Sequence, residues 1–584
     1  MNTPPLRVWA PHADRVELTG GNRNTDMEKD AAGWWASDTS PLRHGDDYAF
    51  RVNGAGPFPD PRSPWQPCGV HGPSRWLDHG RFAWEDSGWK PPSHESAVIY
   101  ELHAGTFTPE GTFDSALQQL DYLADLGITH VELMPVAEFP GSRGWGYDGV
   151  DLYAPHHAYG GPEGLKRLVN ACHLRGLAVL LDVVYNHLGP CGNYLGKFGP
   201  YFTDRHKTPW GMAINLDGPE SDEVRRFLID NALMWLREYH MDGLRVDAVH
   251  ALVDTSATHF LEQLCAEVRL LEPVMGRPFV MIAESDLNDP RVVRPSESGG
   301  YGMDAQWNED FHHSLHAVLT GERTGYYQDF GRLADLAKAL TKGFVYDGIY
   351  SPYRRRHHGR PAAGITGHQL VGCLQNHDQV GNRAMGERTS NLIPPGMLKI
   401  GAAVVLTSPF VPMLFQGEEW GASTPFLFFT NHDDPELGKA VTLGRRKEFA
   451  AFGWDPETFP DPQSEDSFRR SQLDWRELER PMHRELAEWH RSLIRLRRRT
   501  PALRAGRMEE AAVRLDETAR WLVIVRGPVT IVCNLADAPQ RVPCGEAGGG
   551  HLALSSAPGI ARVDGGIFVP AYAVGIIMRG ESGR

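Results

Sequence analysis

Residues 243–250 read GLRVDAVH, a short apolar run that ends on the carboxylate of Asp247. Two later segments have the same form: VMIAESDLND at 280–289 carries Glu284 after its apolar run, and CLQNHDQVGNR at 373–383 carries Asp378. A carboxylate just past a short apolar run is typical of the point where a buried parallel strand ends and its loop begins. The sequence therefore predicts three acidic side chains at the ends of three different strands.

Short apolar runs alternate with helical patterns through the middle of the chain. The runs lie at residues 98–102, 129–134, 177–184, 243–246, 279–283, 303–306, 370–375 and 411–415. Near-continuous apolar strands separated by amphipathic helices favour an α/β fold with a closed parallel sheet, the (β/α)8 TIM barrel. In such a barrel the C-terminal strand ends meet over one pocket, so residues far apart in the chain face each other there. We therefore expect Asp247, Glu284 and Asp378 to converge.

The chain has 584 residues, more than one barrel of roughly 250 residues requires. Residues 1–95 are rich in Gly, Pro and Trp and contain short alternating runs, which predicts an N-terminal β-sandwich of the carbohydrate-binding kind. Pro91, Pro92 and Ser93 interrupt regular structure before the barrel. After about residue 500 the pattern changes to alternating strands. We therefore predict a sandwich at 1–95, a catalytic barrel at 96–500 and a C-terminal antiparallel β-domain at 501–584.

The composition excludes several classes of partner. A count of 59 basic and 74 acidic residues gives a net charge of −15, and the basic residues are scattered, so no nucleic acid is expected. No apolar run approaches the roughly 20 residues that span a bilayer, and the first residues lack the pattern of an export signal. Seven cysteines without a CxxC pair argue against a disulfide framework or a zinc site. The sequence therefore predicts a soluble, cytoplasmic protein that binds no membrane and no metal.

Several carboxylates at one pocket indicate the cleavage of a glycosidic bond. One group must deliver a proton to the leaving oxygen, and a second must trap or stabilise the oxocarbenium-like centre. No cofactor is expected for this chemistry. A single Asp after an apolar run is more often a helix cap or a turn residue, so the argument depends on the context of all three carboxylates.

The residues around the carboxylates form motifs in a fixed order. DVVYNH at 182–187 ends the third strand, Arg245 stands two residues before Asp247, and His377 immediately precedes Asp378. In these features, over roughly residues 95–500, the chain resembles the α-amylase superfamily of glycoside hydrolases. The resemblance implies a retaining mechanism in which Asp247 is the nucleophile, Glu284 is the acid/base and Asp378 stabilises the transition state.

The same resemblance implies a set of substrate-binding side chains. Tyr147 would offer an aromatic face to the sugar ring, and His187 and His377 would donate hydrogen bonds to its hydroxyls. Arg245 should keep Asp247 ionised, because a neighbouring cation favours the charged form of a carboxylate. The full set is Tyr147, Asp148, His187, Arg245, His250, His377, Gln379, Arg383, Phe426 and Phe428.

Four further segments narrow the resemblance. LRVWAPHADRVEL at 6–18 and the stretches at 60–74, 100–113 and 428–441 are similar to hydrolases that release trehalose from maltooligosyl trehalose. That similarity implies an oligosaccharide substrate with two glucoses joined α,α-1,1 at one end. It also implies a functional partner, maltooligosyl trehalose synthase, which makes that substrate.

Three alternatives stay open. A glucan branching enzyme resembles the same three-part plan and would form the same glycosyl-enzyme on Asp247, but a sugar hydroxyl would replace water as the acceptor. The tract NHDQVGNR at 376–383 favours the trehalose-releasing hydrolases. A debranching hydrolase is a weaker alternative. A non-catalytic glucan-binding protein would have no chemical reason to combine three carboxylates with Arg245.

Overall fold

A closed barrel of eight parallel strands forms the centre of the protein, in a computed structural model that describes residues 6–20, 23–37, 42–450, 459–545 and 549–579. Each observed strand overlaps one of the predicted apolar runs, and the last strand pairs with the first, so the predicted TIM barrel is confirmed. The strands are β1 Ile99–Leu102, β2 His130–Leu133, β3 Ala178–Val183, β4 Gly243–Val246, β5 Val280–Ala283, β6 Ala305–Trp307, β7 Leu370–Cys373 and β8 Val411–Phe415.

The inside of the barrel changes from apolar to charged along the strands. Side chains such as Ile99, Leu180 and Ile282 form a buried apolar cluster. Two residues further along β1 and β3, on the same inward face, stand Glu101 and Asp182. The inward face therefore becomes polar at the C-terminal strand ends, where a barrel builds its active site.

Helices cover the outside of the barrel. Most of them bury one apolar face, as the predicted amphipathic patterns require, whereas Pro395–Thr407 is buried on all sides. The main helices are Leu120–Leu126, Gly161–Leu174, Ser221–Glu238, Phe260–Met275, Glu309–Thr320, Leu333–Lys342, Pro395–Thr407 and Pro481–Arg499. Between β5 and β6, residues 284–304 are described throughout and form two 3-10 turns, Pro290–Val292 and Ser296–Ser298, in place of an α-helix. The outer layer is therefore interrupted beside these two strands.

Antiparallel sheets flank the barrel in sequence, as predicted. The N-terminal strands are Leu6–Trp9, Val16–Gly20, Arg23–Asp26, Glu28–Lys29, Trp34–Ser37, Asp47–Val52, Ala55–Phe58 and Ser74–Arg75, in two sheets. The C-terminal strands are Ala511–Asp516, Trp521–Arg526, Val529–Asn534, Gln540–Val542, His551–Ser555, Ala561–Val563, Gly566–Val569 and Ala573–Met578, in a five-stranded and a three-stranded sheet.

Further elements stand on the loops at the C-terminal end of the barrel. A hairpin of Phe202–Thr208 and Gly211–Ile214 follows β3, and a second, of Asp347–Ser351 and Arg356–Gly359, precedes β7. The long connection after β8 includes the helices Pro435–Ala450 and Glu465–Arg470. All seven cysteines are free thiols. Among the helices of the described ranges, we find none with the length and apolar character that crossing a membrane requires.

Candidate active site

The three predicted carboxylates follow three barrel strands. Asp247 directly follows β4, Glu284 directly follows β5, and Asp378 lies in a short helix, His377–Gly381, after β7. Asp247 and Glu284 both lie within 4 Å of the Arg245 guanidinium, and the charges of Asp247 and Asp378 both act on Glu284. The barrel therefore brings the three residues to one site.

Arg245 is the buried cation of this site. Its side chain has no exposed surface, and its Nη1 donates hydrogen bonds of 2.8 Å to both Asp182 and Asp247. Its Nη2 lies 3.8 Å from Oε2 of Glu284, and its guanidinium lies 4.2 Å from the ring centroid of Trp307. These contacts fix the guanidinium at hydrogen-bond distance from the carboxyl group of Asp247.

Unlike Asp247, which is hydrogen-bonded to a cation, Glu284 lies in an environment that favours its neutral form. Burial, together with the nearby charges of Asp247 and Asp378, raises its pKa to about 8, although Arg245 acts against the shift. Its Oε2 accepts a hydrogen bond from the backbone N–H of Ala248. Ala248 has a φ of 40°, in the left-handed region that a residue with a Cβ seldom adopts. That strained turn directs a donor at Glu284. Burial and the neighbouring carboxylates, not this donor, leave the carboxyl protonated at neutral pH.

A chain of hydrogen bonds connects the strands beneath the site. Nδ1 of His377 donates to Glu101, and the Tyr147 hydroxyl donates to Oδ2 of Asp182 at 2.6 Å. Nε2 of His377 lies 2.8 Å from the same hydroxyl and donates to it. Burial would lower the pKa of His377, but Glu101 and Asp378 outweigh it and raise the pKa to about 9. A protonated His377 therefore also lies 3.5 Å from Asp378.

A fourth carboxyl, Glu309, lies next to the predicted three. Burial and the charge of Asp378 raise its pKa to about 8. Its Oε2 accepts a hydrogen bond of 2.7 Å from Nε2 of Gln379, whose Oε1 accepts hydrogen bonds of 3.2 Å from Tyr326 and Tyr327. Gln379 is thus held on both sides by neighbouring polar groups. Glu309 follows the sixth apolar run, so the strand-end rule applied to the other carboxylates could have found it.

Two of the predicted substrate-binding residues are His187 and Asp148. His187 contacts Trp210, which the sequence did not indicate as a site residue. The ring of His187 stacks on Trp210, with centroids 4.7 Å apart and planes at 7°. Trp210 lies between the strands of the first hairpin and is 49% exposed, so its outer face is open to a ligand. Asp148 lies 3.7 Å from His432, and burial raises its pKa. No period or motif in the sequence distinguishes Trp210 from an ordinary loop residue.

The remaining predicted residues lie further from the carboxylates or face inwards. His250 is exposed in the 3-10 turn Val249–Ala251, and its charge acts on Asp286. Arg383 donates a hydrogen bond of 2.8 Å to Glu322. Phe428 is half-buried and lies 4.3 Å from the Arg445 guanidinium.

Phe426 is a correction to the predicted substrate-binding surface. It is fully buried and stacks on Trp145, with ring centroids 5.2 Å apart. A side chain without exposed surface cannot contact a ligand in this conformation. Phe426 therefore supports the loop on which Phe428 stands.

One group of residues has the composition of a metal site. Among the described residues, Glu138, His156 and His157 bring their ligand atoms within 4.8 Å of one another. Both oxygens of Glu138 already accept hydrogen bonds from His157, at 2.6 Å from Nδ1 and 2.8 Å from the backbone N–H. Hydrogen bonding thus accounts for Glu138 and His157 without an ion. The buried Nε2 of His156 lies 3.7 Å from Oε1 of Glu138 and has no hydrogen-bond partner among the described residues.

Comparison with protein families gives two matches. Residues 80–200 match the model described as the catalytic domain of alpha amylase, and residues 506–576 match a domain of unknown function, DUF3459. A crystal structure of a putative alpha amylase from Salmonella typhimurium superimposes with a TM-score of 0.90 at 37% identity, covering 99% of both chains.

Two relatives are similar over almost the whole chain. A malto-oligosyltrehalose trehalohydrolase of Arthrobacter ramosus is 52% identical over 92% of this chain and 93% of its own. A protein of the same name from Mycobacterium tuberculosis is 48% identical over 99% of this chain and all of its own. A 1,4-alpha-glucan branching enzyme of Vibrio parahaemolyticus is 34% identical over only 52% of this chain and 46% of its own. The similarity to a branching enzyme is therefore partial.

Proposed function

The chain belongs to the malto-oligosyltrehalose trehalohydrolases of the α-amylase superfamily, and from this premise we propose the bond that it cleaves. The substrate is maltooligosyl trehalose, and the bond is the α-1,4-glucosidic bond next to the terminal trehalose unit. The products are trehalose and a maltooligosaccharide. The observation that carries the proposal is the contrast between Asp247, hydrogen-bonded to a buried guanidinium, and Glu284, whose pKa burial raises to about 8.

The first step uses both carboxyls. Asp247, held by a hydrogen bond from Arg245, attacks the anomeric carbon of the glucose that precedes the trehalose unit. Glu284 gives its proton to the glycosidic oxygen as the bond from that oxygen to the anomeric carbon breaks. Trehalose leaves with the proton on the freed oxygen, and the maltooligosyl chain remains as an ester on Asp247. The raised pKa of Glu284 supplies the proton that this step requires.

The second step returns the enzyme to its starting state. Glu284, now ionised, takes a proton from water while the water oxygen attacks the anomeric carbon. The ester bond to Asp247 breaks, and a maltooligosaccharide is released with its α configuration retained. Asp378 holds the hydroxyls of the distorted sugar ring in both steps. The buried, protonated His377, whose ring nitrogens already donate to Glu101 and Tyr147, lies 3.5 Å from Asp378 and positions it.

The active site must also bind the trehalose unit of the substrate, which is a bent, non-reducing disaccharide. The hairpin that carries Trp210 and the loop that carries Phe428 supply exposed or half-buried aromatic surface on the loops at the C-terminal end of the barrel. Aromatic rings provide flat apolar surface for the faces of sugars. We further propose that the enzyme acts in the cytoplasm, after maltooligosyl trehalose synthase. The free state of all seven cysteines supports a reducing compartment.

Product analysis tests the proposed bond. Purified protein is incubated with maltopentaosyl trehalose and, separately, with a maltooligosaccharide of equal length, and the products are separated by chromatography. The proposal requires rapid release of free trehalose from the first substrate and much slower hydrolysis of the second. An Asp247→Asn variant should lose several orders of magnitude in rate while binding the substrate nearly as well, because the nucleophile acts on the transition state.

A branching activity gives a different result in the same experiment. With amylose as donor, it would form α-1,6 branches with little increase in reducing ends, and it would release little trehalose from maltopentaosyl trehalose. That outcome would move the assignment to a sugar acceptor in the second step. Equal rates on the two oligosaccharides would instead indicate an amylase without a requirement for the trehalose unit.

A further inference from the structure

A second pocket lies at the opposite end of the barrel from the carboxylates. It has a volume of about 490 Å³ and is lined by residues that precede strands, among them Ser96 before β1, Thr129 before β2 and Gly176 before β3. Because all strands are parallel, residues before them lie at the N-terminal end of the barrel, away from the catalytic end. A ligand here does not take part in the chemistry at Asp247.

Three arginines converge on this pocket. Arg175, Arg498 and Arg504 all belong to its wall. Nε of Arg175 donates a hydrogen bond of 2.6 Å to Asp121. Within the described ranges, the guanidinium groups of Arg498 and Arg504 have no ion-pair partner, and the buried Nε of Arg504 has no hydrogen-bond partner. Two cationic groups therefore face one cavity without a neutralising carboxylate.

The helix dipole explains part of this arrangement of arginines, because all three lie at or next to helix C-termini. Arg175 directly follows the helix Gly161–Leu174, Arg498 lies in the last turn of Pro481–Arg499, and Arg504 ends the turn Pro501–Arg504. A basic residue at a helix C-terminus offsets about half a negative charge from the helix dipole. This effect favours basic residues at each helix end, but it does not require that their guanidinium groups share a cavity or that a buried Nε lacks a partner.

The charge and size of the pocket indicate its ligand. The chain carries a net charge of −15, so its overall field repels anions and a local site must attract them. Guanidinium groups form paired hydrogen bonds with phosphate oxygens. The pocket lies within the size range of small-molecule sites, and Ala124 and Ile128 add apolar surface to its wall. We propose that this pocket binds the phosphoryl group of a small phosphorylated metabolite, with Arg498 and Arg504 as its principal ligands.

Direct binding of two anions tests the proposal. The full-length protein is titrated with inorganic phosphate and with glucose 6-phosphate at constant ionic strength, by isothermal titration calorimetry. We expect saturable binding at one site per chain. The variant R498Q/R504Q should bind at least about tenfold more weakly, because each guanidinium contributes charge-assisted hydrogen bonds. Since Arg504 is partly buried, the single variant Arg498→Gln, on an exposed residue, tests the same effect with less risk to folding.

The matched control changes the same charge outside the pocket. Arg495 and Arg499 are exposed on the same helix and do not line the cavity, so R495Q/R499Q should bind both anions as the wild type does. Tighter binding of glucose 6-phosphate than of phosphate supports a phosphate ester as the ligand, and equal binding supports recognition of the phosphoryl group alone. Absence of saturable binding, or an equal loss in both double variants, would overturn the proposal. All of these readouts are independent of the catalytic reaction.

Discussion

The proton on Glu284 decides the chemistry at the scale of single residues. Burial and the nearby Asp247 and Asp378 raise the pKa of Glu284 to about 8. The rate should therefore fall as the pH rises through about 8, because Glu284 then loses the proton that the leaving oxygen requires. Glu284→Gln should lower kcat by about 1000-fold and remove this alkaline limb from the pH–rate profile.

Glu309 provides the matched control for that experiment. Burial also raises its pKa to about 8, so it would titrate in the same range. Glu309→Gln should keep the alkaline limb, shifted slightly to lower pH, because Glu309 contributes to the raised pKa of Glu284. If the limb disappears in E309Q and persists in E284Q, the acid has been assigned to the wrong residue.

The same pKa makes Glu284 a source of instability. The folded protein keeps this proton to a pKa of about 8, whereas the unfolded chain releases it near 4.5. Between these values the folded state binds more protons, so the stability contributed by Glu284 falls as the pH rises. Above pH 8, Glu284→Gln should be more stable than the wild type by on the order of a few kcal/mol, and near pH 4.5 this difference should vanish.

Calorimetric melting temperatures measured across this pH range check the difference. Asp121→Asn is a suitable comparison, because Asp121 lies at the far end of the barrel, in an ion pair whose carboxylate side chain is 80% exposed. Its melting temperature should follow the wild type at high pH. A constant difference between E284Q and the wild type at every pH would contradict the titration of Glu284 as its cause.

The sequence predicts the site residues that follow apolar strands, but not those whose position depends on how a loop folds. Asp247, Glu284 and Asp378 could be predicted because a strand end fixes where each of them lies. Trp210 could not, since its stacking on His187 depends on how the hairpin after β3 folds over the barrel. The family resemblance predicts that Phe426 contacts the substrate, but its burial shows that an aromatic residue in a loop often packs inwards.

At the scale of elements, the end of the helix Leu120–Leu126 depends on Gly127. This residue has a φ of 100°, and its N–H closes the helix by donating to the carbonyls of Leu123 and Ala124. A Cβ at this position would lie 2.8 Å from Cγ2 of Ile494, on the last helix of the barrel. Gly127→Ala should therefore lower the free energy of unfolding by about 2–4 kcal/mol, from backbone strain together with overpacking.

Gly176→Ala separates these two contributions. Gly176 also has a positive φ, 75°, but a Cβ there meets no atom within 4 Å. Its substitution should cost only the backbone term, about 1 kcal/mol. Chemical denaturation of both variants measures the difference. Equal losses would show that the contact with Ile494 adds nothing.

The strands were predictable because barrel strands are buried on both faces and appear as continuous apolar runs. Other elements carry no such signal. The strands Arg23–Asp26 and Glu28–Lys29 are polar, and the hairpin of Asp347–Ser351 and Arg356–Gly359 is mostly exposed. The sequence also gives no sign that an α-helix is missing between β5 and β6, because a regular βα repeat predicts a helix there.

At the scale of the whole molecule, the C-terminal sheets are bonded to the barrel. Arg526 donates a hydrogen bond of 2.9 Å to the carbonyl of Thr407, at the end of the barrel helix Pro395–Thr407. The carboxylate of Glu517 accepts hydrogen bonds from the backbone N–H groups of Leu333 and Ala334, at 3.0 and 2.9 Å, and so caps the helix Leu333–Lys342. The proposed boundary at residue 500 therefore separates two kinds of fold, but the two parts are hydrogen-bonded to each other and should not fold independently.

The helix Pro395–Thr407 shows what removing the C-terminal domain would expose. Every residue from Met397 to Thr407 is buried, and a helix that is apolar on all sides must be covered on all sides. The helix also contacts the strand Ala573–Met578 of the C-terminal sheet. A chain that ends at residue 500 should therefore aggregate, because it leaves a contiguous apolar surface open to water. Gel filtration of chain 1–500 checks this expectation. Glu517→Gln in the full chain is the control: it weakens the cap on the helix Leu333–Lys342, so the protein should remain monodisperse but have a lower melting temperature. Recovery of chain 1–500 as a monodisperse protein with the melting temperature of the full chain would mean that the barrel folds without its C-terminal partner.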